Sequence, residues 1–443
     1  MAAAEPWWNF FQGIVLPIQI LFWIVLGIGI SSVLSAAVLA INAARQRHRI
    51  AGDPDRPPRE SDYLWVFMVA ALNEEITIAD AVGRLQATEA TNRVILVVND
   101  GSNDGTGEIL AAMPDPDLHV LTRTLPNARR GKAAALNDAY RYLIGSVLTE
   151  PRYAKWSHER VIVGVIDADG RLDPRAPAAV ARHFSSRRIG GVQTLVRIYN
   201  RRGYLTWAQD VEFSVFGTLF QSGRTWWGTA NMGGNGQFNR LSALADVADD
   251  TGPWRDRLTE DQDLGVRLIH QGWRSAQENS VTIDQQGLHS IRRLYRQRTR
   301  WAQGAWQALS LLGGVRRARV GFLASCDLVY YLLTPALQLV TGVGLVAAIV
   351  LNFFRDVPFV PASVPVLLFF LSLGFLPGFI ALLHRGRGLG GTILAVLLSL
   401  PYLIYSWMLF PVLVRALVRH LAGSTSWSKT AREALRPEAG ASR

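Results

Sequence analysis

The stretch VIVGVIDADG, residues 161–170, begins with an uninterrupted apolar run, Val161–Ile166, which two aspartates and a glycine follow. Such a run is typical of a parallel strand that is covered on both faces. Two similar runs precede it, at Leu64–Ala71 and Val94–Val98. Helical patterns over about Ile76–Ala87 and Lys132–Ile144 separate the three runs. Strands that alternate with helices predict a doubly wound α/β sheet.

Polar residues follow each of the three predicted strands. Asn73 and Glu74 follow the first strand, Asp100 follows the second, and Asp167 and Asp169 end the third. Ligands of such a sheet bind beyond the carboxyl ends of the strands. We therefore expect these five side chains to border one site.

Asp167 and Asp169 flank a single residue where the third strand ends. Side chains two apart on a strand point to the same side, and a hard divalent cation prefers oxygen ligands with positions left for phosphate. The pair predicts a Mg²⁺ or Mn²⁺ site that would neutralise a diphosphate leaving group. The alternative is an Asp-Gly turn at Asp169 and Gly170, which needs no metal.

Two further motifs suit a nucleotide. Asp100 begins the run DGSNDGT, whose glycines would let the backbone approach a uridine while the carboxylate accepts hydrogen bonds. The same run is also compatible with a turn that caps the next helix. Lys132 opens a predicted helix after a basic glycine loop, and helix N-termini bind anions. A solvated charge run explains Lys132 equally well.

The tripeptide Thr259-Glu260-Asp261 precedes a predicted amphipathic helix. Its simplest interpretation is a helix start that Thr259 caps. An inverting sugar transfer, however, needs a base within about 3 Å of the acceptor hydroxyl. Asp261 is the candidate for this base, with Glu260 beside it.

Gln297, Arg300 and Trp301 lie in a helical segment that begins around Ser290. Residues spaced by three and four share one helix face, so these three side chains converge. Arg300 would pair with a diphosphate through two hydrogen bonds, and Trp301 would form a floor under an acceptor sugar. The segment also fits a basic amphipathic helix on a membrane surface, and both interpretations can hold together.

With these motifs in this order, the chain resembles the membrane-integrated family 2 glycosyltransferases, which include cellulose, chitin, hyaluronan and poly-N-acetylglucosamine synthases. The resemblance runs from about Leu64 to Trp306. It implies a GT-A fold, a UDP-sugar donor and inversion to a β-linkage. The residues that it assigns to nucleotide, metal, base and signature roles are Asn73, Glu74, Asp100, Lys132, Asp167, Asp169, Asp261, Gln297, Arg300 and Trp301.

The segment WWGTANMGGNGQF, residues 226–238, departs from the best-known members of that family. It is rich in glycine where those enzymes carry a short Cys- or Pro-containing acceptor motif. Trp227 would stack on a sugar, and Asn235 and Gln237 would bond its hydroxyls; a glycine-bearing loop between core elements is the alternative. We expect transfer to a growing polysaccharide, and the departure leaves open transfer of one or a few sugars to a lipid. A catalytically inactive nucleotide-binding scaffold is the remaining alternative.

Composition places this enzyme in a membrane. The 443 residues are 49% hydrophobic and 18% charged, which leaves apolar sequence for a bilayer after a soluble core is built. The domains that we expect are an N-terminal membrane segment at 1–50, a linker at 51–62, a cytoplasmic GT-A domain with interfacial helices at its end at 63–320, C-terminal membrane helices at 321–418 and a tail at 419–443.

The apolar segments are about Ile18–Leu39, Leu323–Phe354, Pro361–Leu383 and Leu389–Val414. Three C-terminal crossings would leave the tail outside, whereas its basic residues favour the cytoplasm. We expect a cytoplasmic tail, with the last stretch, which contains Pro401, re-entering without crossing.

The net charge of +11 is concentrated beside these apolar segments. It therefore favours contact with anionic lipid over nucleic acid, which would need one basic stripe with stacking aromatics. Aromatic residues of the C-terminal segments either line a sugar path or sit at the lipid interface; they are Tyr330, Tyr331, Tyr402 and Trp407. The sequence identifies neither the donor sugar nor a partner subunit.

Overall fold

The structure is a computed structural model that describes residues 15–47, 59–354, 376–380, 382–383 and 388–424. Several segments named above lie outside the described residues. They are the expected interfacial stretch around Trp7 and Phe10, residues 51–58 of the linker, residues 361–375 of the third apolar stretch and the tail from residue 425.

One eight-stranded sheet forms the centre of the described chain, in the order β3-β2-β1-β4-β7-β6-β8-β5. The strands are β1 Leu64–Ala71, β2 Arg93–Asn99, β3 Leu118–Thr122, β4 Val161–Asp167, β5 Arg171–Leu172, β6 Ile189–Ile198, β7 Gln237–Arg240 and β8 Arg274–Gln285.

The helices that pack on this sheet or extend from it alternate with the strands along the chain. They are α1 Leu16–Arg47, α2 Ile78–Gln86, α3 Thr106–Ala111, α4 Lys132–Gly145, α5 Ala176–Phe184, α6 Tyr204–Ser214, α7 Ser222–Thr225, α8 Leu241–Val247, α9 Glu260–His270, α10 Ile291–Ala308, α11 Phe322–Phe354, α12 Gly388–Met408 and α13 Phe410–Leu421.

Strands β1 to β4 form the parallel half of the sheet; the apolar runs predicted β1, β2 and β4 but not β3. Ala71 pairs with Asn99, and Ala70 pairs with Asp167. The carboxyl ends of β1, β2 and β4 therefore meet at one edge. The positions of the three predicted strands are confirmed to within a residue at each end.

The other half of the sheet makes it mixed, whereas the sequence predicted a doubly wound parallel sheet. Strand β7 is antiparallel to both β4 and β6, while β6 and β8 are parallel to each other. Phe238 on β7 fills the space above Gly164, where an added Cβ would lie 2.8 Å from the Phe238 ring. The glycine in VIVGVI is thus a packing position, because any side chain there would displace Phe238.

Two apolar layers cover the faces of the sheet. On one face, helices α2 and α5 pack against residues such as Phe67 and Ile95. On the other face, helices α4, α8 and α9 pack against residues such as Met68 and Leu96. Alternate residues of each strand serve opposite layers, which explains why the strands are apolar at almost every position.

Among the described residues, three helical segments are long and apolar enough to cross a membrane: Leu16–Gln46, Phe322–Ala347 and Gly388–Leu421. The last segment is broken at Leu409, so that α12 is followed by the amphipathic helix α13. Helix α13 lies along α10, and Arg419 donates from Nε to Gln303 Oε1 at 3.2 Å. The stretch that the sequence suggested as a single apolar unit is therefore two helices.

Candidate active site

A cavity of about 910 Å³ starts at the carboxyl edge of the sheet and continues between α1, α11, α12 and α13. Its walls combine polar residues of the catalytic domain with apolar and aromatic residues of the long helices. The predicted site residues on the wall are Glu74, Asp100, Lys132, Asp167, Asn235, Glu260, Asp261, Gln297, Arg300 and Trp301.

Lys132 is the cation at the centre of the acidic part of the cavity. Its Nζ lies 2.5 Å from Asp167 Oδ1 and 3.8 Å from Glu260 Oε1. Burial opposes the charge on Lys132, but the carboxylates of Asp167, Glu260 and Asp261 outweigh it and raise its pKa above the usual value. The lysine therefore stays charged at the N-terminus of α4, where an anion would also be stabilised.

Asp261 occupies the first turn of α9, beside Glu260. Its Oδ1 accepts a hydrogen bond from the backbone N–H of Gln262 at 2.8 Å. Burial, together with the charge of Glu260, raises the pKa of Asp261 to about 7, although Lys132 counteracts part of that shift. A carboxyl group with this pKa can accept a proton near neutral pH and is suited to general base chemistry.

The glycine-rich segment packs against Asp261. Gly234 has a φ of +84°, and a Cβ added there would lie 2.8 Å from Asp261 Oδ2. A side chain at position 234 would thus face both an unfavourable backbone conformation and a contact with the carboxylate. The segment that the sequence suggested as an acceptor loop therefore bounds the space next to the candidate base.

Asp100 is buried at the end of β2 and is held by two arginines. Its Oδ1 accepts the backbone N–H of Arg129 at 2.9 Å and also contacts the Arg123 guanidinium, whose Nε lies 2.7 Å from Asp138 Oδ2. Burial raises the pKa of Asp100 above its usual range, and the Arg129 and Arg123 hydrogen bonds counteract it. Sequence analysis missed Arg123, because it lies 23 residues beyond Asp100 in no recognised motif.

Asp167 lies on the cavity wall, and Asn235 fixes its position. The backbone N–H of Asp167 donates to Asn235 Oδ1 at 3.0 Å, and Asn235 Nδ2 donates to Gln285 Oε1 at 3.1 Å. Asp169 is only 5% exposed, and its Oδ2 accepts the backbone N–H of Gln286 at 3.3 Å. The two aspartates that the sequence paired as metal ligands therefore differ, since Asp167 borders the cavity and Asp169 is buried against the sheet.

Helix α10 contributes the basic-aromatic wall of the cavity. Trp301 stacks under the guanidinium of Arg298, whose central carbon is 4.0 Å from the ring centre. Arg298 Nη2 lies 2.6 Å from Glu212 Oε2, and the Tyr405 hydroxyl donates to the same oxygen at 2.8 Å. The sequence identified Gln297, Arg300 and Trp301 by their spacing, but Glu212 and Tyr405 come from distant helices and gave no local signal.

Asn73, Trp227 and Gln237 are predicted site residues that the structure does not place among the described residues of the cavity wall. Asn73 instead holds the loop after Asp100, because its Oδ1 accepts the backbone N–H of Asn103 at 3.0 Å. Gln237 is 1% exposed within β7 and donates to Asn239 Oδ1. Trp227 lies in the turn after α7, where its backbone N–H donates to the Arg224 carbonyl. The side-chain amide of Gln237, which was expected to bond a sugar hydroxyl, therefore makes a hydrogen bond within β7.

The donor atoms at this edge suit a hard divalent cation. Mg²⁺ is commonly held by one or two carboxylates together with substrate phosphates, rather than by a complete protein cage. In the described part of the chain no three acidic, His or Cys side chains form such a cage. Asp167 on the wall, with Asp169 behind it, fits the arrangement in which phosphate oxygens complete the coordination.

Comparison with known proteins identifies the family. Residues 65–304, more than half of the chain, match the family model described as "Glycosyltransferase like family 2". The chain belongs to this family.

Two curated relatives of this family 2 glycosyltransferase are named for different products. A β-monoglucosyldiacylglycerol synthase of Trichormus variabilis is 30% identical over 69% of this chain and 62% of its own length. A poly-β-1,6-N-acetyl-D-glucosamine synthase of Staphylococcus aureus is 28% identical over 55% of each chain. The chain thus spans less than two thirds of the length of these relatives.

A solved structure shares the fold of this family 2 glycosyltransferase. The mannosyltransferase from Pyrobaculum calidifontis, solved with GDP-Man and Mn²⁺, has a TM-score of 0.59 at 19% identity. The match covers 91% of this chain and 99% of that one. The prediction of a GT-A fold is confirmed.

The pKa of Asp261 predicts how the transfer rate of this family 2 glycosyltransferase depends on pH. A base must be deprotonated, and kcat/KM reports the free enzyme. We expect kcat/KM for the acceptor to fall about tenfold per pH unit below pH 7 and to level off above it. Initial rates from pH 5.5 to 8.5 would show this limb. A rate that stays flat down to pH 5.5 would contradict the role of Asp261 as the base.

The contact between Gly234 and Asp261 gives a second prediction. Gly234→Ala should lower kcat/KM at least tenfold, because the new methyl group must displace the carboxylate. The matched control is Gly272→Ala, since Gly272 also has a positive φ of +91° but its nearest neighbour, the Arg319 side chain, is 3.5 Å away. Equal activity losses in the two variants would mean that backbone strain alone is responsible.

Proposed function

We propose that this protein is an inverting membrane-bound glycosyltransferase that transfers a sugar from a UDP-sugar to an acceptor hydroxyl and forms a β-linkage. The observation that carries the proposal is the convergence of Lys132, Asp167 and Asp261 at one end of a cavity whose other end lies among apolar helices. The residues that would bind the donor therefore share one cavity with a space that an acceptor in the membrane could enter.

The donor half of the site is built for a nucleoside diphosphate. Asp100 and Glu74 line the cavity at the ends of β2 and β1, where the uridine would bind. Lys132 at the start of α4 and Arg300 on α10 supply positive charge for the diphosphate. Asp167, supported by Asp169, would hold Mg²⁺ or Mn²⁺, which when bound neutralises the negative charge that develops on the leaving diphosphate.

Asp261 would take the proton of the attacking hydroxyl. The freed oxygen forms a bond to the anomeric carbon while the bond from that carbon to the diphosphate oxygen breaks, and its electron pair leaves with UDP. Attack from the side opposite the leaving group inverts the configuration and yields a β-glycoside. The negative charge of Glu260 raises the pKa of Asp261, and the positive charge of Lys132 offsets part of that increase.

The acceptor that the cavity favours is a lipid. Beyond Trp301 the walls are formed by side chains of the long helices, such as Ile28, Leu337 and Phe410, which suit an acyl chain. One of the two curated relatives is named for synthesis of a glycolipid. An acceptor headgroup at Asp261 would then leave its chains between the helices.

A growing polysaccharide is the second candidate acceptor, as the sequence suggested. Tyr402 and Trp407 also line the membrane part of the cavity, and aromatic rings bind sugar faces. The other relative is named for synthesis of a polymer of N-acetylglucosamine. Product length distinguishes the two candidates.

The proposed location is the cell membrane, with several crossings and the catalytic domain in the cytoplasm. Its support comes from three apolar helices and from basic residues beside them, which favour the cytoplasmic side. Arg292 and Arg296 are exposed on α10 and would face anionic lipid.

The Asp261→Asn variant tests the chemistry. Purified protein in detergent with Mn²⁺ is given UDP-glucose, UDP-galactose, UDP-N-acetylglucosamine and GDP-mannose together with a membrane lipid extract, and nucleotide release is measured. We expect release from one UDP-sugar, a loss of at least 1000-fold in Asp261→Asn and UDP affinity within about threefold of the parent. Asp246→Asn, an exposed position on α8, is the control. Release from none of the donors would instead support the inactive scaffold.

The mass of the product tests the acceptor. With the active donor and the lipid extract, we expect a lipid that is heavier by one or a few hexose units. A ladder of products that extends to long chains would overturn the lipid proposal and favour the polysaccharide.

A further inference from the structure

A polar group from helix α11 lies in the cavity next to the candidate base. The Tyr331 hydroxyl accepts a hydrogen bond from Asn231 Nδ2 at 2.6 Å, and Tyr331 lines the cavity together with Asp261 and Gln262. Asn231 belongs to the glycine-rich segment that also contacts Asp261. The hydroxyl of a helix expected to lie in the membrane is thus brought to the catalytic end of the cavity.

The ring of Tyr331 is fixed from one side by a buried ion pair. The guanidinium carbon of Arg224 lies 4.6 Å from the centre of the ring. Arg224 itself donates to both carboxylate oxygens of Asp327, from Nε at 2.7 Å and from Nη2 at 3.2 Å. Asp327 precedes Tyr331 by one helical turn, so both side chains project from the same face of α11. A bidentate pair of this kind sets the position of the ring closely.

Asn231 is fixed just as firmly, and it connects Tyr331 to the helix of the base. Its backbone N–H donates to Gln221 Oε1 at 2.7 Å, and its Oδ1 accepts the backbone N–H of Met232 at 2.9 Å. A Cβ at Gly265 would lie 2.2 Å from Asn231 Oδ1. Gly265 is one turn beyond Asp261 on α9, so Asn231 packs directly on that helix.

The orientation of the hydroxyl leaves its proton for a partner in the cavity. A tyrosine hydroxyl has one donor and two acceptor positions, and the amide of Asn231 occupies an acceptor position. The side chain of Gln262, the residue after Asp261, is also within hydrogen-bonding reach of this hydroxyl. An acceptor that enters between Tyr331 and Asp261 would receive the proton of this hydroxyl.

We propose that Tyr331 binds the acceptor headgroup by donating a hydrogen bond to an oxygen next to the attacking hydroxyl. This assignment rests on the proposed function, because it requires an acceptor at Asp261. It also defines the acceptor class more closely: a lipid whose free hydroxyl has a neighbouring ester or hydroxyl oxygen. One oxygen is held by Tyr331 of α11, and the hydroxyl beside it faces Asp261.

Tyr331→Phe tests the assignment, because it removes the hydroxyl and keeps the ring under Arg224. The probe acceptor is dioctanoylglycerol, in which an ester oxygen neighbours the free hydroxyl, and the donor is the active UDP-sugar. We expect the acceptor KM to rise about tenfold, the effect of one lost hydrogen bond. The donor KM and the UDP released by hydrolysis without acceptor should stay within about twofold of the parent.

The control for a purely structural effect is Tyr63→Phe, which removes a buried hydroxyl that donates to the Phe184 carbonyl at 2.8 Å at the opposite end of β1. Both variants should lose a similar amount of thermal stability, but only Tyr331→Phe should raise the acceptor KM. If the parent enzyme transfers sugar to dioctanoylglycerol and Tyr331→Phe has the same acceptor KM, the Tyr331 assignment is wrong and the proposed function stands. If the parent releases UDP but transfers no sugar to dioctanoylglycerol, both the lipid acceptor and the assignment are wrong.

Discussion

The ammonium group of Lys132 among the carboxylates of Asp167, Glu260 and Asp261 is the interaction on which the site depends. It joins the start of α4, the end of β4 and the start of α9. Three carboxylates close together in a partly buried space repel one another, and without a cation they would bind protons. One lysine neutralises only part of this charge. Burial and this remaining negative charge raise the pKa of Asp261, and an added positive charge beside it would lower that pKa.

The second constraint is the close approach of backbone to functional side chains at Gly234 and Gly265. Gly234 lies in the segment before β7 and packs against Asp261 of α9. Gly265 lies one turn further along α9, and Asn231 of the same segment packs against it. The composition of that segment suggested sugar binding. In the structure the segment packs against Asp261 and, through Asn231, contacts Tyr331 of α11.

The sequence predicted the parallel half of the fold well, because β1, β2 and β4 are apolar at nearly every position. It did not predict β6 and β7, since these strands bury the polar side chains of Gln193 and Gln237. Buried amides whose partners lie within the fold look like ligand-binding residues in a sequence, which is why Gln237 is expected there to bind the acceptor. Tyr331 is the reverse case, because its sequence context does not distinguish it from a lipid-facing aromatic residue. An aromatic residue on an apolar helix has an ordinary role at the lipid interface, and only the contacts with Asn231 and Arg224 distinguish it.

Buried and half-buried charges also connect the long apolar helices to the catalytic domain. Arg224 pairs with Asp327 of α11, and Arg298 with Glu212, which also accepts the hydroxyl of Tyr405 from α12. Removing one partner of a buried pair leaves an uncompensated charge, so such pairs penalise any other docking of the helices. The proposed donor half of the cavity belongs to the sheet, whereas the proposed acceptor half exists only where these helices dock. By this proposal, a catalytic domain without the helices would retain the nucleotide contacts but lack the wall that holds an acceptor against Asp261.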